Sequence, residues 1–252
     1  MPKSAMRRYR PASTSSISFG PGPLPTAIKL LIWTNVAMFV ITWPSAAAPL
    51  TRWLGLAPVD VFERFRIWQP LTYLFLHGGV FHILFNMLAL WMFGTELERI
   101  WGTRFFLKYY FITGVGAAAT MLVLALFSTS AYYSATIGAS GAVYGVLLAY
   151  ALYFPNRPIF LYFVFPIPAK YFVLILGAIS FLSVSDSTSG VAHGAHLGGI
   201  VVGYVYLKGL RLRGLGGNLS GELKYRYLKW KYDRQRRKFD VYSGGRSDRH
   251  LH

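Results

Sequence analysis

The chain has no cysteine, only nine acidic residues, and few charges of any kind: Asp, Glu, Lys and Arg make up 14% of its 252 residues. Without cysteine there is no disulfide, no thiolate metal site and no cysteine nucleophile, although this says little about compartment. Soluble domains carry roughly a quarter charged residues, and a fraction this low excludes an ordinary water-facing surface. His-Glu-x-x-His is missing, so a metalloprotease gains no support. No internal repeat stands out, and a transporter built from inverted repeats gains none either.

Apolar residues are what the chain has in quantity, at 54%. A bilayer-spanning helix needs about 20 of them in succession. Six spans are predicted: Ile28 to Trp43, Val80 to Glu98, Phe105 to Phe127, Ile137 to Phe154, a short one from Tyr171 to Val184, and Val191 to Leu207. The fourth is closed by Pro155-Asn156-Arg157-Pro158. Ile159 to Ala169 stays ambiguous, because Pro166 and Pro168 disfavour a clean helix. Pro44 to Gly79 mixes Arg52, Asp60, Glu63, Arg64 and Arg66 with Trp53, Trp68 and Tyr73. Such a segment is expected to lie in the membrane interface instead of crossing. Ser128 to Thr136 is an uncharged loop, and Asp186 marks another loop on the same side.

Lys and Arg number 26 against nine Asp and Glu, a net charge of +17. An excess of this size suits nucleic acid or an anionic membrane surface. Here it gathers at the two ends, Lys3 to Arg10 and Lys208 to Arg249, and at the turn holding Arg99, Arg104 and Lys108. That placement disfavours nucleic acid, and the positive-inside rule puts both ends in the cytoplasm. The expected organisation is a flexible basic arm (1–25), a six-helix domain (26–208) and a basic tail (209–252). The arm does not read as a secretory signal, since the apolar run begins late and no small-residue cleavage site follows. In the tail, Leu223-Lys-Tyr-Arg-Tyr-Leu-Lys-Trp-Lys-Tyr suits either anionic headgroups or a solvated segment.

Polar groups inside hydrocarbon are costly, so each is a functional hypothesis. They are few. His82 and Asn86 share one face of the second span, and His193 and His196 lie in the sixth. Ser140 opens the fourth, within Gly138-Ala-Ser-Gly-Ala-Val-Tyr-Gly145. A hydroxyl cuts a peptide bond when a base takes its proton and donors stabilise the oxyanion. Ser140 supplies a hydroxyl and a sixth-span histidine a base, provided the two helices touch. Gly141 with Gly145, and Gly199 with Gly203, are small residues at the spacing that lets membrane helices approach at backbone distance. His82, Asn86 and the Ser140 backbone N–H are the candidate oxyanion donors. Singly these signals are weak: a serine in a span usually bonds back to its own helix, and His82 with Asn86 serves equally as interhelical glue.

In combination they resemble the rhomboid family. Gly138-Ala-Ser140-Gly141 is similar to that family's Gly-x-Ser-Gly motif, with Gly145 also in register. Ala195-His196-Leu-Gly-Gly199 with Gly203 resembles its Ala-His-x-x-Gly-x-x-x-Gly, and His82-Ile-Leu-Phe-Asn86 its His-x-x-x-Asn. His77, and Glu98 with Gly102, also fall where the family has such residues. The resemblance runs from about Ile28 to Leu207 and departs from the pattern at Gln69, where the family often shows a Trp-Arg pair and this chain has Trp68 followed by glutamine.

The resemblance implies an all-α six-helix bundle and an intramembrane serine endopeptidase with a Ser–His dyad. Ser140 is then the nucleophile, and His196 the general base and later the acid. His82 and Asn86 help line the oxyanion hole, and His77 is structural. His193 holds water, tunes His196 or packs. No cofactor is implied, and the substrate is a transmembrane segment of another protein. The minimal six-span form points to a bacterial inner membrane. The rivals are an inactive rhomboid-like protein that binds or moves membrane proteins, and, further off, a metal or haem protein using His82, His193 and His196.

Overall fold

In hydrocarbon a backbone must satisfy its own hydrogen bonds, and a proline-free apolar run does so as a helix. The computed structural model, which describes residues 23–43, 47–161, 165–183 and 193–212, is built on that solution. The basic arm before residue 23, the Asp186 loop and the tail beyond 212 lie outside the described residues. The first helix, α1 (Thr26–Thr42), has no side-chain cap from the residue that precedes it. Glu98 does that work from a distance. Its carboxylate accepts from Ala27 N at 2.8 Å and Ile28 N at 3.0 Å, and the Thr103 hydroxyl donates to it at 2.7 Å. A buried carboxylate on the positive end of a helix satisfies two otherwise orphaned N–H groups.

The segment after α1 contains three short helices, α2 (Ala48–Leu54), α3 (Pro58–Arg64) and α4 (Gln69–Thr72), then a tight turn over Tyr73–Phe75. Each helix has a proline at its first or second position, where the missing N–H costs nothing. Asp60 ties the segment together by pairing with Arg64 and Arg66, both at 2.6 Å. Gln69, the departure from the family pattern, is fully buried and accepts from Ala57 N at 3.0 Å. Beside it Trp68 donates through its indole N–H to Trp53 O at 2.9 Å. The amide thus anchors the loop through backbone groups.

The second apolar helix runs unbroken from Val80 to Trp101, past the expected end at Glu98. It comprises α5 (Val80–Ala89), a wider π turn over Leu90–Gly94 and α6 (Thr95–Trp101). Then follow α7 (Thr103–Ala125), a short α8 (Thr129–Tyr133) inside the uncharged loop, α9 (Ser140–Tyr153), α10 (Ala169–Leu182) and α11 (His193–Leu212). The ambiguous stretch between α9 and α10 is an antiparallel hairpin of β1 (Pro158–Leu161) and β2 (Phe165–Pro168). The all-α expectation is amended there: proline is tolerated in strands that have a free edge, and this ribbon is all edge.

By length and composition, Val80–Trp101 and Thr103–Ala125 are each able to cross a membrane, and Thr26–Thr42, Ser140–Tyr153 and Ala169–Leu182 are shorter apolar helices. The core forms where α7, α9 and α11 meet. Small residues let them close: a Cβ on Gly116 of α7 would press into Val202 of α11 at 2.6 Å, and one on Gly145 of α9 into Thr113 of α7 at 2.7 Å. The Tyr109 hydroxyl donates to Gly145 O at 2.8 Å across the same seam.

Candidate active site

The site begins with a short extended stretch leading into α9. Leu56 N–H donates to Thr136 O at 3.0 Å, Thr136 N–H returns to Leu56 O at 2.7 Å, and Gly138 N–H donates to Tyr73 O at 2.9 Å. The loop before α3 and the turn after α4 therefore staple down the strand that carries Ser140. At Gly138 the backbone turns through φ +123°, a conformation that favours glycine. A Cβ at that position would also meet His82 Nε2 at 2.6 Å. Ser140 then occupies the first position of α9, where helix N–H groups have no intrahelical acceptor.

α11 brings His196 to this point. Its Nε2 lies 2.9 Å from Ser140 Oγ, within hydrogen-bond reach. The approach depends on glycine at the crossing, since a Cβ on Gly199 would fall onto the carbonyl oxygen of Gly141. Gly141 in turn would press a Cβ into Ala117 of α7 at 2.6 Å. The expected α9–α11 contact is present at backbone distance. The other half of each glycine pair faces α7 instead, with Gly203 set against the Tyr109 hydroxyl and Gly145 against Thr113.

His196 is buried and held flat. Its ring stacks on Tyr144 with centroids 4.2 Å apart and planes within 6°. His193 stands perpendicular to it, 5.8 Å away. Among the described residues no group accepts from His196 Nδ1, so no carboxylate completes a triad there.

His82 accepts from Gly78 N through Nδ1 at 3.3 Å. A neutral imidazole accepting at Nδ1 carries its proton on Nε2. That N–H edge faces Gly138, at the entrance to α9. Asn86 is buried, and one of its amide hydrogens goes to His82 O at 2.8 Å, leaving the second for another acceptor. His77 packs edge-on against His82 at 4.9 Å. Burial, with His82 as the smaller cause, pushes His77 down to about 3, so it is neutral at physiological pH. Ser140, His196, His193, His82 and His77 form one cluster, whereas Glu98 lies apart as the cap of α1.

Three parts of this arrangement are not among the sequence motifs. Tyr144 is legible in principle, because it follows Ser140 by four positions and so shares its face of α9. The staple through Leu56, Tyr73 and Thr136 is made by backbone groups and leaves no residue signature. The role of Gln69 depends on a buried pocket that only packing creates. An open pocket of about 380 Å³ at the end of α7 is lined by 125–129 with Tyr132 and Tyr133 and holds none of the site residues.

Known proteins resemble this chain over much of its length. The family model described as "Rhomboid domain" matches residues 64–213. The chain is 32% identical over 185 residues to the rhomboid protease GluP of Bacillus subtilis, covering 71% of this chain and 34% of that protein. It is 29% identical over 155 residues to the rhomboid protease AarA of Providencia stuartii, with 54% and 53% covered. It is 30% identical over 161 residues to the mitochondrial RHOMBOID-like protein 12 of Arabidopsis thaliana, with 57% and 46% covered. The chain spans about a third to a half of the length of these relatives. A mostly helical fold matched over more than half of the chain by this family model places it, and this chain belongs to the rhomboid family, whose members are integral membrane proteins.

Proposed function

We propose that this protein is an intramembrane serine endopeptidase that cleaves transmembrane segments of other membrane proteins. The observation that carries the proposal is the 2.9 Å approach of His196 Nε2 to Ser140 Oγ inside a packed apolar core. In the reaction, Nε2 takes the Ser140 hydroxyl proton as Oγ attacks the scissile carbonyl carbon. The oxyanion that forms meets the Ser140 backbone N–H, the His82 Nε2–H and the free amide hydrogen of Asn86. His196 then delivers its proton to the leaving amine, and a water molecule, activated by the same imidazole, hydrolyses the acyl-enzyme. Tyr144 holds the ring plane of His196 throughout, a task that an acidic third residue performs elsewhere.

The setting of this chemistry is a domain over 26–208 that crosses the bilayer six times. Both termini lie in the cytoplasm, where the basic tail suits anionic lipids. The chain belongs in a bacterial inner membrane on this reading because of its minimal six-span form, and its orientation rests on the basic end segments and the turn at Arg99 to Lys108. No cofactor takes part.

The test uses an activated-serine probe and needs no known substrate. Purified protein in detergent or lipid is treated with a fluorophosphonate beside Ser140→Ala and His196→Ala. Wild type is expected to label, and both variants to lose labelling while staying folded. His82→Ala and Asn86→Ala should label more slowly, since one oxyanion donor is typically worth about 10² to 10³ in rate. A folded wild type that never labels, across several lipids, would shift the reading to a rhomboid-like protein that binds membrane proteins without cutting them.

A further inference from the structure

The β1–β2 hairpin has no part in the site, and it is a strand ribbon in an otherwise helical set of described residues. It joins the end of α9 to the start of α10, with Phe160 opposite Pro166 and Leu161 opposite Phe165. Between Arg157 and Lys170 the sequence holds no charged residue at all. In a two-stranded ribbon, residues directly opposite share a face and neighbours alternate. Phe160 and Pro166 therefore lie on one face, and Phe165 lies on the other with Ile159 and Ile167. At the base the second face turns inward, where Ile159 is buried. Towards the tip both faces are open, with Phe160 57% and Phe165 63% exposed.

Apolar exposure on two opposite faces narrows the choice of partner. A protein surface covers one face of a ribbon and leaves the other in water. Acyl chains cover both. Added strands are disfavoured as well, because Pro158, Pro166 and Pro168 remove donors from the strand edges. The remaining edge groups are costly deep in hydrocarbon and acceptable where headgroups and water reach them. Cations flank the base: Lys170 is exposed, Arg157 is paired with Glu96, and Ala169 N–H bonds to Arg157 O at 2.9 Å. Lys170 lies 4.9 Å from the ring of Tyr171, an aromatic–cation pair typical of the headgroup level.

We infer that the β1–β2 hairpin lies in the phospholipid leaflet at this end of the bundle, with Phe160 and Phe165 among the upper acyl carbons and Lys170 at the phosphates. The hairpin is then a lipid anchor at the start of α10. The inference rests on membrane residence and not on the chemistry of Ser140.

The absence of cysteine makes the test clean. Phe160→Cys and Phe165→Cys are each labelled with a polarity-sensitive fluorophore in phosphatidylcholine–phosphatidylglycerol nanodiscs, with Ser130→Cys on exposed α8 as a water-facing control. Quenching by lipids carrying a nitroxide near the headgroup end of the acyl chain is compared with quenching by aqueous iodide. Both hairpin positions should quench several-fold more with the lipid nitroxide than with iodide, and the control the other way round. Iodide access equal to the control overturns the inference, and so does shielding from both quenchers, which would mean a protein cover. Two independent positions guard against one variant that misfolds. The outcome is separate from serine labelling, which neither variant is expected to change.

Discussion

The seam between α9 and α11 and the outer face of α10 are built from similarly apolar sequences, yet they pack in opposite ways. At the seam the backbones meet directly, and Gly199 rests on the carbonyl of Gly141. On α10 only Ala169, Val173 and Ser180 are buried, while Leu174, Phe181 and Leu182 are at least two-thirds exposed. The difference teaches where precision is needed. A serine and a histidine on separate helices stay in reach only if those helices cannot shift, and backbone contact is the stiffest way to fix them. The outer face of α10 carries no such demand, because none of the described elements packs against its exposed side chains.

Breaking the seam should have the largest effect. Gly199→Ala puts a methyl group on the Gly141 carbonyl, and overpacking of this kind costs about 3 kcal/mol or more where backbone opposes it. The expected result is a marked fall in thermal unfolding temperature together with loss of serine labelling. A stable, labelling Gly199→Ala protein would mean the helices have slack. Next comes the ring that holds His196. Aromatic pairs contribute about 0.5–1.5 kcal/mol, so Tyr144→Ala should slow labelling by up to about tenfold with little change in folding. Tyr144→Phe, which keeps the ring, should label nearly as wild type.

The rim of the site gives a smaller, pH-dependent effect. His77 has its folded pKa lowered to about 3 from an ordinary 6.5, so the unfolded chain binds the proton that the folded one refuses. Its contribution to stability is complete above the unfolded value and is lost as pH falls from about 6.5 towards 3. His77→Gln should flatten the dependence of unfolding temperature on pH between about 7 and 4. An unchanged slope would assign the acid sensitivity to another group. The smallest effect belongs to the lipid face: Leu174→Ala should change stability by less than about 0.5 kcal/mol and leave labelling intact. A larger loss there would show that α10 packs more tightly than its exposure suggests.

Much of this architecture is legible in the amino-acid sequence. Apolar runs mark the helices, with ends within a few residues of those seen. Gly138, Ser140 and His196 stand out because polar groups and small residues are conspicuous against hydrocarbon. The hairpin is visible there only as an ambiguity, since Pro166 and Pro168 say what the segment is not. The three short helices after α1 stay hidden because that segment has neither a long apolar run nor a regular period. Gln69 reads as a gap in a pattern and proves to be an anchor.

By itself the sequence determined the solvent and the polar groups on offer: long apolar runs favour helices in a membrane, and the few polar side chains within them single out Ser140, His82, Asn86, His193 and His196 as the candidates. Tertiary structure alone decided the geometry. How closely His196 approaches Ser140, which glycine faces α7, and which distant backbone groups hold the stretch before Ser140 all depend on how three helices cross. That information is spread over contacts between residues far apart in the chain, and no local pattern carries it.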